Sequence, residues 1–256
     1  MKFNQLIQPS LWSASVLQLL LPLGLYLGYT SGAVWHWWAI CFFFYAVVYS
    51  MIGNNIALHR YFSHGHFTVP KYIEWGLLWS GCMIGLGGPL SYAMTHLIHH
   101  KYPDTELDPH GPIRGKQSII VWFHQVIDYG KTPIHSRHIL DLRKRYGWMH
   151  RYYWIFVLSN AGFMYLIDYK IFLFCWLIPA SMTIWGVAGA LLTQHWSLTA
   201  NNGWHEKWFP WYEALHKNHH EHPRAPNTAF TSDQCDTTYQ FSRLLSPTYN
   251  WDGQPK

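Results

Sequence analysis

The chain has 256 residues, of which 50% are hydrophobic, 18% aromatic and 12% charged, with a formal net charge of +5. Charged residues make up about a quarter of an ordinary soluble domain, and here residues 1–58 hold one alone, Lys2. This excludes a disordered protein, a nucleic-acid-binding arm and an ordinary soluble globule, and leaves an integral membrane protein with a polar remainder and no nucleic-acid partner.

In chain order, residues 11–30 form one apolar run and 33–56 another, separated only by Thr30-Ser31-Gly32. Each is long enough for the ~20-residue helix that crosses a ~30 Å hydrocarbon core, so the pair is expected to form a transmembrane hairpin. Residues 73–90 are apolar but carry Glu74 and the breaker Gly85-Leu86-Gly87-Gly88-Pro89. A second hairpin is expected from spans at about 150–167 and 171–193, with Asp168 and Lys170 at its turn. The polar parts are 57–72, 91–151 and 194–256. The middle one holds Lys101, Arg114, Lys116, Lys131, Arg137, Arg143, Lys144, Arg145 and Arg151, whereas the turns inside the two hairpins hold Lys170 alone. The positive-inside rule therefore places the polar segments and both termini in the cytoplasm, of a bacterial inner membrane or the endoplasmic reticulum. Without internal repeats or linkers, 1–256 reads as one domain. The four scattered cysteines, with no CxxC, read as reduced thiols.

Histidine is the second anomaly: there are 18, as many as Lys and Arg together. Three clusters stand out. His59-Arg-Tyr-Phe-Ser-His64 is HxxxxH, and His96-Leu-Ile-His99-His100 and His216-Lys-Asn-His219-His220 are both HxxHH. In an α-helix i, i+3 and i+4 share a face, so each HxxHH is expected to point three imidazoles at one place. His59 and His64 would diverge by about 140° on a helix of ~3.6 residues per turn, which suits two different metals or a helix that ends between them. A single cluster could be amphipathic interface decoration. Three of them, two with identical spacing, read as metal ligands. All-imidazole donors suit Fe, Zn, Cu or Ni. Eight ligands exceed what one ion takes, so two ions are implied, and a nitrogen-rich dinuclear site at a membrane surface points to redox chemistry on a lipid, with iron the best candidate.

The clusters must share one side of the membrane. The first follows one hairpin and the third follows the other. The second follows 73–90, so that stretch is expected to lie in the interface or to dip in and return, not to span. The expected architecture is all-α and integral to the membrane. Four transmembrane helices stand in two hairpins, with interfacial helices and a cytoplasmic helical cap carrying a His-rich dimetal site.

These motifs resemble the membrane fatty acid desaturase family, nearest its Δ9, stearoyl-CoA-desaturase-like branch, from about His59 to Phe230. His59-Arg60-Tyr61-Phe62-Ser63-His64 is similar to that branch's first box. The run from His96 through His100 to Asp104, Asp108-Pro109-His110 is similar to its second, and Glu213-Ala-Leu-His216-Lys-Asn-His219-His220 to its third. The resemblance implies a diiron enzyme that uses O2 and two electrons to introduce a cis double bond into an acyl chain. It also implies a lone histidine ligand after the last span, for which His195 is the counterpart, making nine ligands in all. Where the family has Asn four positions before that histidine this chain has Leu191, with Gln194 or Thr193 as substitutes. After the first His of box two it has Leu97 in place of Arg. Asp104, Asp108 and Glu213 are placed to orient ligating imidazoles, as ligating histidines normally pass their second N–H to a carboxylate or carbonyl. His110 and His124 are expected in the same supporting role.

The substrate is expected to reach the metals through an apolar tunnel whose wall includes Trp75, Trp79, Tyr92 and Trp196. Neither a haem-binding His-Pro-Gly-Gly element nor a nucleotide-binding glycine fingerprint occurs. Electrons are thus expected from a separate carrier, ferredoxin or cytochrome b5 with its reductase. The competing reading is a diiron hydroxylase or ketolase on a lipid, carotenoid or alkyl substrate. A metal transporter would instead place ionisable residues inside the spans.

Overall fold

The computed structural model describes residues 11–108, 136–195, 199–202, 213–245 and 247–249. Most of them are helical, and the strands among them, Phe67–Thr68 (β1) and Thr248–Tyr249 (β2), form one short antiparallel ribbon. Helix α1 (Leu11–Thr30) ends in a turn at Ser31-Gly32, where Gly32 takes a φ of 66°. Helix α2 (Trp35–Phe43) then runs without interruption into a π-helix, Phe44–Ser63. π-Helical hydrogen bonds run from i to i+5, and the form rarely persists beyond one turn. Here it lasts 20 residues and carries the first histidine motif at its end.

The next segment is a helical hairpin, α3 (Lys71–Met83) and α4 (Pro89–Lys101), packed along the π-helix. Close approach is possible because glycine stands at the crossing. A Cβ on Gly53 would lie 2.8 Å from the Ser80 carbonyl oxygen, and one on Gly81 3.0 Å from Leu58 Cγ. The reversal uses Gly85 (φ 97°) and Gly87 (φ 95°), and Pro89 opens α4 in the first helical turn, where its missing N–H costs nothing. The hairpin starts just after His64 and finishes with His96, His99 and His100. Both free ends therefore lie at the histidine end, and Gly85–Gly87 forms the far tip.

At 13 residues, α3 rises ~20 Å, short of a ~30 Å hydrocarbon core. Its end is deeply buried: Cys82, Met83 and Ile84 are 0% exposed. Backbone carbonyls in such a place need donors. Tyr153 Oη donates to the Cys82 carbonyl (2.6 Å) and accepts from the Gly87 amide (3.2 Å), and Trp176 Nε1 donates to the Met83 carbonyl (3.0 Å).

Those donors come from the remaining helices. Helix α5 (Arg137–Ile167) is capped by Ser136, which accepts from the Ile139 amide, and its backbone breaks at Tyr152 (φ −112°, ψ 22°), close to where the second hairpin is expected to begin. Asp168 turns the chain and caps α6 (Tyr169–Phe172), accepting from the Lys170 amide at 2.7 Å. A π-turn, Leu173–Leu177, leads into α7 (Ile178–Gln194). Two short helices follow, α8 (His216–Glu221) and α9 (Thr237–Ser242).

Two uninterrupted helical stretches, Trp35–Ser63 and Tyr169–Gln194, are long and apolar enough to cross a membrane, and Val16–Thr30 is a shorter apolar helix. The outer faces of α1, α2 and the second half of α5 are also apolar, with Leu19, Trp35, Phe163 and Leu166 exposed. Water does not favour so large an exposed patch, whereas hydrocarbon does. All four cysteines are free, in agreement with reduced thiols.

The α3–α4 tip should be sensitive to its donors. Tyr153→Phe leaves the buried Cys82 carbonyl and Gly87 amide without the phenol and is expected to cost about 1–3 kcal/mol. Tyr29→Phe, on an exposed ring, is expected to change stability by less than about 0.5 kcal/mol. Thermal unfolding in detergent compares the two.

Candidate metal centre

Four separate parts of the chain deliver histidines to one place. The end of the π-helix brings His59 and His64, α4 brings His96, His99 and His100, the C-terminus of α7 brings His195, and α8 brings His216, His219 and His220. They form two groups. His59, His64, His96, His100 and His219 make one, and His99, His195, His216 and His220 the other, with the potential ligand atoms of each group within 4.8 Å of one another. All nine histidines singled out in the sequence are thus gathered here.

The division differs from the expectation that each HxxHH serves one point. Within α4, His96 and His100 face the first group and His99 the second. Within α8 the assignment is reversed, with His216 and His220 in the second and His219 in the first. Residues i and i+4 stay together while i+3, about 60° away on an α-helix at ~3.6 residues per turn, reaches the neighbouring group. His59 and His64 do not serve two groups. The helix ends between them, and its last π-type bond, His64 amide to His59 carbonyl (3.1 Å), folds the two rings together at 4.9 Å.

Within each group the Nε2 atoms converge. They lie 2.8 to 3.1 Å apart in the first (His59–His219, His64–His96, His96–His100, His64–His219 and His100–His219). In the second they lie 2.6 to 3.0 Å apart (His99–His220, His195–His216 and His216–His220). At a metal–nitrogen distance of ~2.0–2.1 Å, ligands at right angles stand ~2.9 Å apart and tetrahedral ones ~3.3 Å. The donor sets therefore fit two ions of higher coordination better than a closed tetrahedral zinc site.

The opposite ring nitrogens meet carboxylates. His99 Nδ1 donates to Asp108 (2.9 Å), His195 Nδ1 to Asp104 (3.0 Å), and His59 Nδ1 to Glu213. With the proton held on Nδ1, the Nε2 lone pair is free to face the group's centre. Asp104 does this from a left-handed backbone (φ 59°), a conformation that Asp tolerates better than most residues, while its amide donates to Asp108 (2.8 Å). His110, His124 and Trp196 lie outside the described residues.

Glu213 belongs to a buried ionic chain that the sequence reading did not find. Arg60 donates through Nε to Glu213, through a terminal nitrogen to the Pro226 carbonyl (2.6 Å) and through the other to Asp236 (3.0 Å). Asp236 also accepts from the Thr228 and Tyr239 amides (2.8 Å each), capping α9. The sequence signal for Arg60 was its position inside the first motif; Asp236 had none. Burial pushes the Glu213 carboxyl up, but the Arg60 charge and His59 outweigh it and bring it down to about 2. The imidazoles shift as bases do. Burial, then the neighbouring histidines, hold His96, His100, His216 and His219 well below 6.5, and bring His220 down to about 2.

A cavity of ≈ 80 Å³ touches both groups through His59, His96 and His216. One wall is apolar (Leu86, Val187, Ala190 and Leu191) and the other carries Asn54, Asn55 and Tyr92. Leu191 thus faces the cavity. Gln194 also lines it, donating through Nε2 to the Glu213 carbonyl (2.7 Å), whereas Thr193 bonds back to its own helix. Of the other aromatics expected along a tunnel, Trp79 donates to Asn160 (3.1 Å) and Trp75 is exposed beside Trp148.

No family model matches the chain. It is similar to an acyl-CoA C20 Delta5-desaturase of Anemone leveillei, 28% identical across 82% of this chain and 71% of the relative. It is also similar to Delta-9 acyl-lipid desaturase 2 of Arabidopsis thaliana, 26% identical across 85% and 73%, and to an sn-2 palmitoyl-lipid 9-desaturase of Nostoc sp. (strain 36), 25% identical across 77% and 74%. The resemblance read from the histidine motifs is borne out.

The depressed histidines fix the sign of the pH dependence. The unfolded chain takes up protons as pH falls through about 6.5, before the folded chain does, so stability is present above that value and lost below it. Lowering pH from about 8 to about 5 is expected to lower the unfolding temperature and release bound metal together. A flat profile in a paired melting and metal-analysis series contradicts the assignment.

Proposed function

We propose that this chain, a relative of the fatty acid desaturases by sequence, is a membrane oxidoreductase. In this reading it is a diiron, O2-dependent fatty acyl desaturase that introduces a cis double bond, of Δ9 type, with two electrons from an external carrier such as ferredoxin or cytochrome b5. The observation that carries the reading is the pair of all-imidazole groups, five and four, opening on one cavity. The nine histidines hold two irons, and Asp104, Asp108 and Glu213 fix the tautomer and raise the basicity of the rings they support. Bound there, the irons supply the O2 chemistry strong enough to break an unactivated methylene C–H bond.

The chain's own residues do the rest. The apolar wall of Leu86, Val187, Ala190 and Leu191 accepts a methylene chain. The buried histidine groups keep bulk water from the reacting carbons, which suppresses side reactions. No acid/base dyad is required of the chain's own residues. In the membrane, α1 with the α2–π helix, and the second half of α5 with α6–α7, form four spans. The α3–α4 hairpin dips in and returns, supported by the short α3 and the internally satisfied tip. Both termini and the metal centre are then cytoplasmic, as the positive-inside count supports.

Expression in a host of known lipid composition, with mass spectrometry of its acyl chains, tests this reading. A new double bond is the expected product; an added oxygen would make the enzyme a hydroxylase or ketolase instead. Purified protein is expected to carry two irons per chain. His99→Ala is expected to abolish the product and to cut bound iron, since it removes a ligand and takes from buried Asp108 its imidazole partner.

A further inference from the structure

The cavity beside the histidine groups is mainly apolar but carries a polar strip, and a hydrocarbon substrate does not explain that strip. Tyr92 Oη donates to Asn54 Oδ1 (3.2 Å), and Asn54 Nδ2 donates to Asn55 Oδ1 (2.8 Å). The Tyr92 ring lies nearly parallel to His96, 5.9 Å away, so the strip begins against a histidine of the first group. Asn54 and Asn55 stand on the π-helix one turn before His59. The carboxamide of Asn54 keeps a second N–H and a second oxygen lone pair, and the Tyr92 hydroxyl keeps its acceptor capacity. Methylenes alone would leave that remaining capacity unmet. The cavity, at ≈ 80 Å³, exceeds several-fold the ~10–15 Å³ that one water requires.

We propose that Tyr92 and Asn54 are positioning residues that hold ordered water in the cavity against the metal centre, and that this water passes protons to the reaction and receives the water it forms. The inference rests on the desaturase reading above. The balance shows why it is needed: –CH2–CH2– + O2 + 2 e− + 2 H+ gives –CH=CH– + 2 H2O. Two C–H bonds break and one C=C forms. Oxygen is reduced by four electrons, two from the substrate and two from a one-electron iron–sulfur or haem carrier. Two protons enter and two waters appear beside an apolar wall on every turnover. Neither Asn54 nor Tyr92 needs to ionise; each fixes where a water sits, and water carries the protons.

Tyr92→Phe keeps the ring and removes the hydroxyl, and Asn54→Leu replaces the carboxamide with an apolar group of similar size. In both, iron content is expected to stay at the parent value. Double bonds formed per O2 consumed should fall at least about threefold, the deficit appearing as hydrogen peroxide, and the solvent deuterium isotope effect on kcat should change. An experimental structure of the metal-loaded protein is expected to show water within ~3.2 Å of Tyr92 Oη and Asn54, and to lose it in the variants. Unchanged coupling and isotope effect in both variants, loss of iron in both, or a cavity without water at these atoms would overturn the proposal. If the parent protein makes no double bond, the desaturase reading fails instead, and the structural arm still judges the water.

Discussion

Imidazole lone pairs repel one another when aimed at a common point, and the molecule aims nine of them into two small volumes. The Nε2 atoms stand about 3 Å apart, the rings are buried, and protonation, which could relieve the repulsion in water, is suppressed by that burial and by the neighbouring rings. A cation at each centre would turn that repulsion into ligation. The other features of the site serve that constraint. Carboxylates hold Nδ1 protons so that Nε2 stays open, a π-type turn folds His64 back beside His59, and a helical hairpin returns α4 to the end from which α3 began.

The ionic chain behind the histidine groups shows how such a site is stiffened. A buried arginine is a liability unless every donor is used. Arg60 reaches a carboxylate that supports a histidine, a backbone carbonyl, and a second carboxylate that caps α9. The C-terminal segment is thereby fastened to the π-helix through charge and hydrogen bonds, in addition to the apolar packing of Phe241, Leu245 and Tyr249 on the core. One side chain connects the two halves of the sequence that hold the first and third histidine motifs.

Much of this was legible from residue order. The hydrophobic runs and their short turns located the two hairpins, and the histidine spacing, together with Gly85-Leu86-Gly87-Gly88-Pro89, implied a segment that reverses. The clusters named eight residues and the family resemblance a ninth, His195, and the structure gathers all nine. What could not be read was anything that depends on departure from 3.6 residues per turn. The period assumed for His59 and His64 was that of an α-helix, and no local pattern announces twenty residues of π-helix. The sharing of each HxxHH between two groups was hidden for a related reason: i, i+3 and i+4 lie on one face, but a face seen from close range is wide enough to address two neighbours. Asp236 and the Tyr153 and Trp176 donors act through contacts distant in sequence, for which composition carries no signal.

The crossed allocation of α4 and α8 has a further meaning. Each helix lends a pair of rings to one group and a single ring to the other, in opposite sense. Neither group is therefore an independent compartment: a shift of either helix displaces donors of both, so the two groups keep their geometry or lose it together.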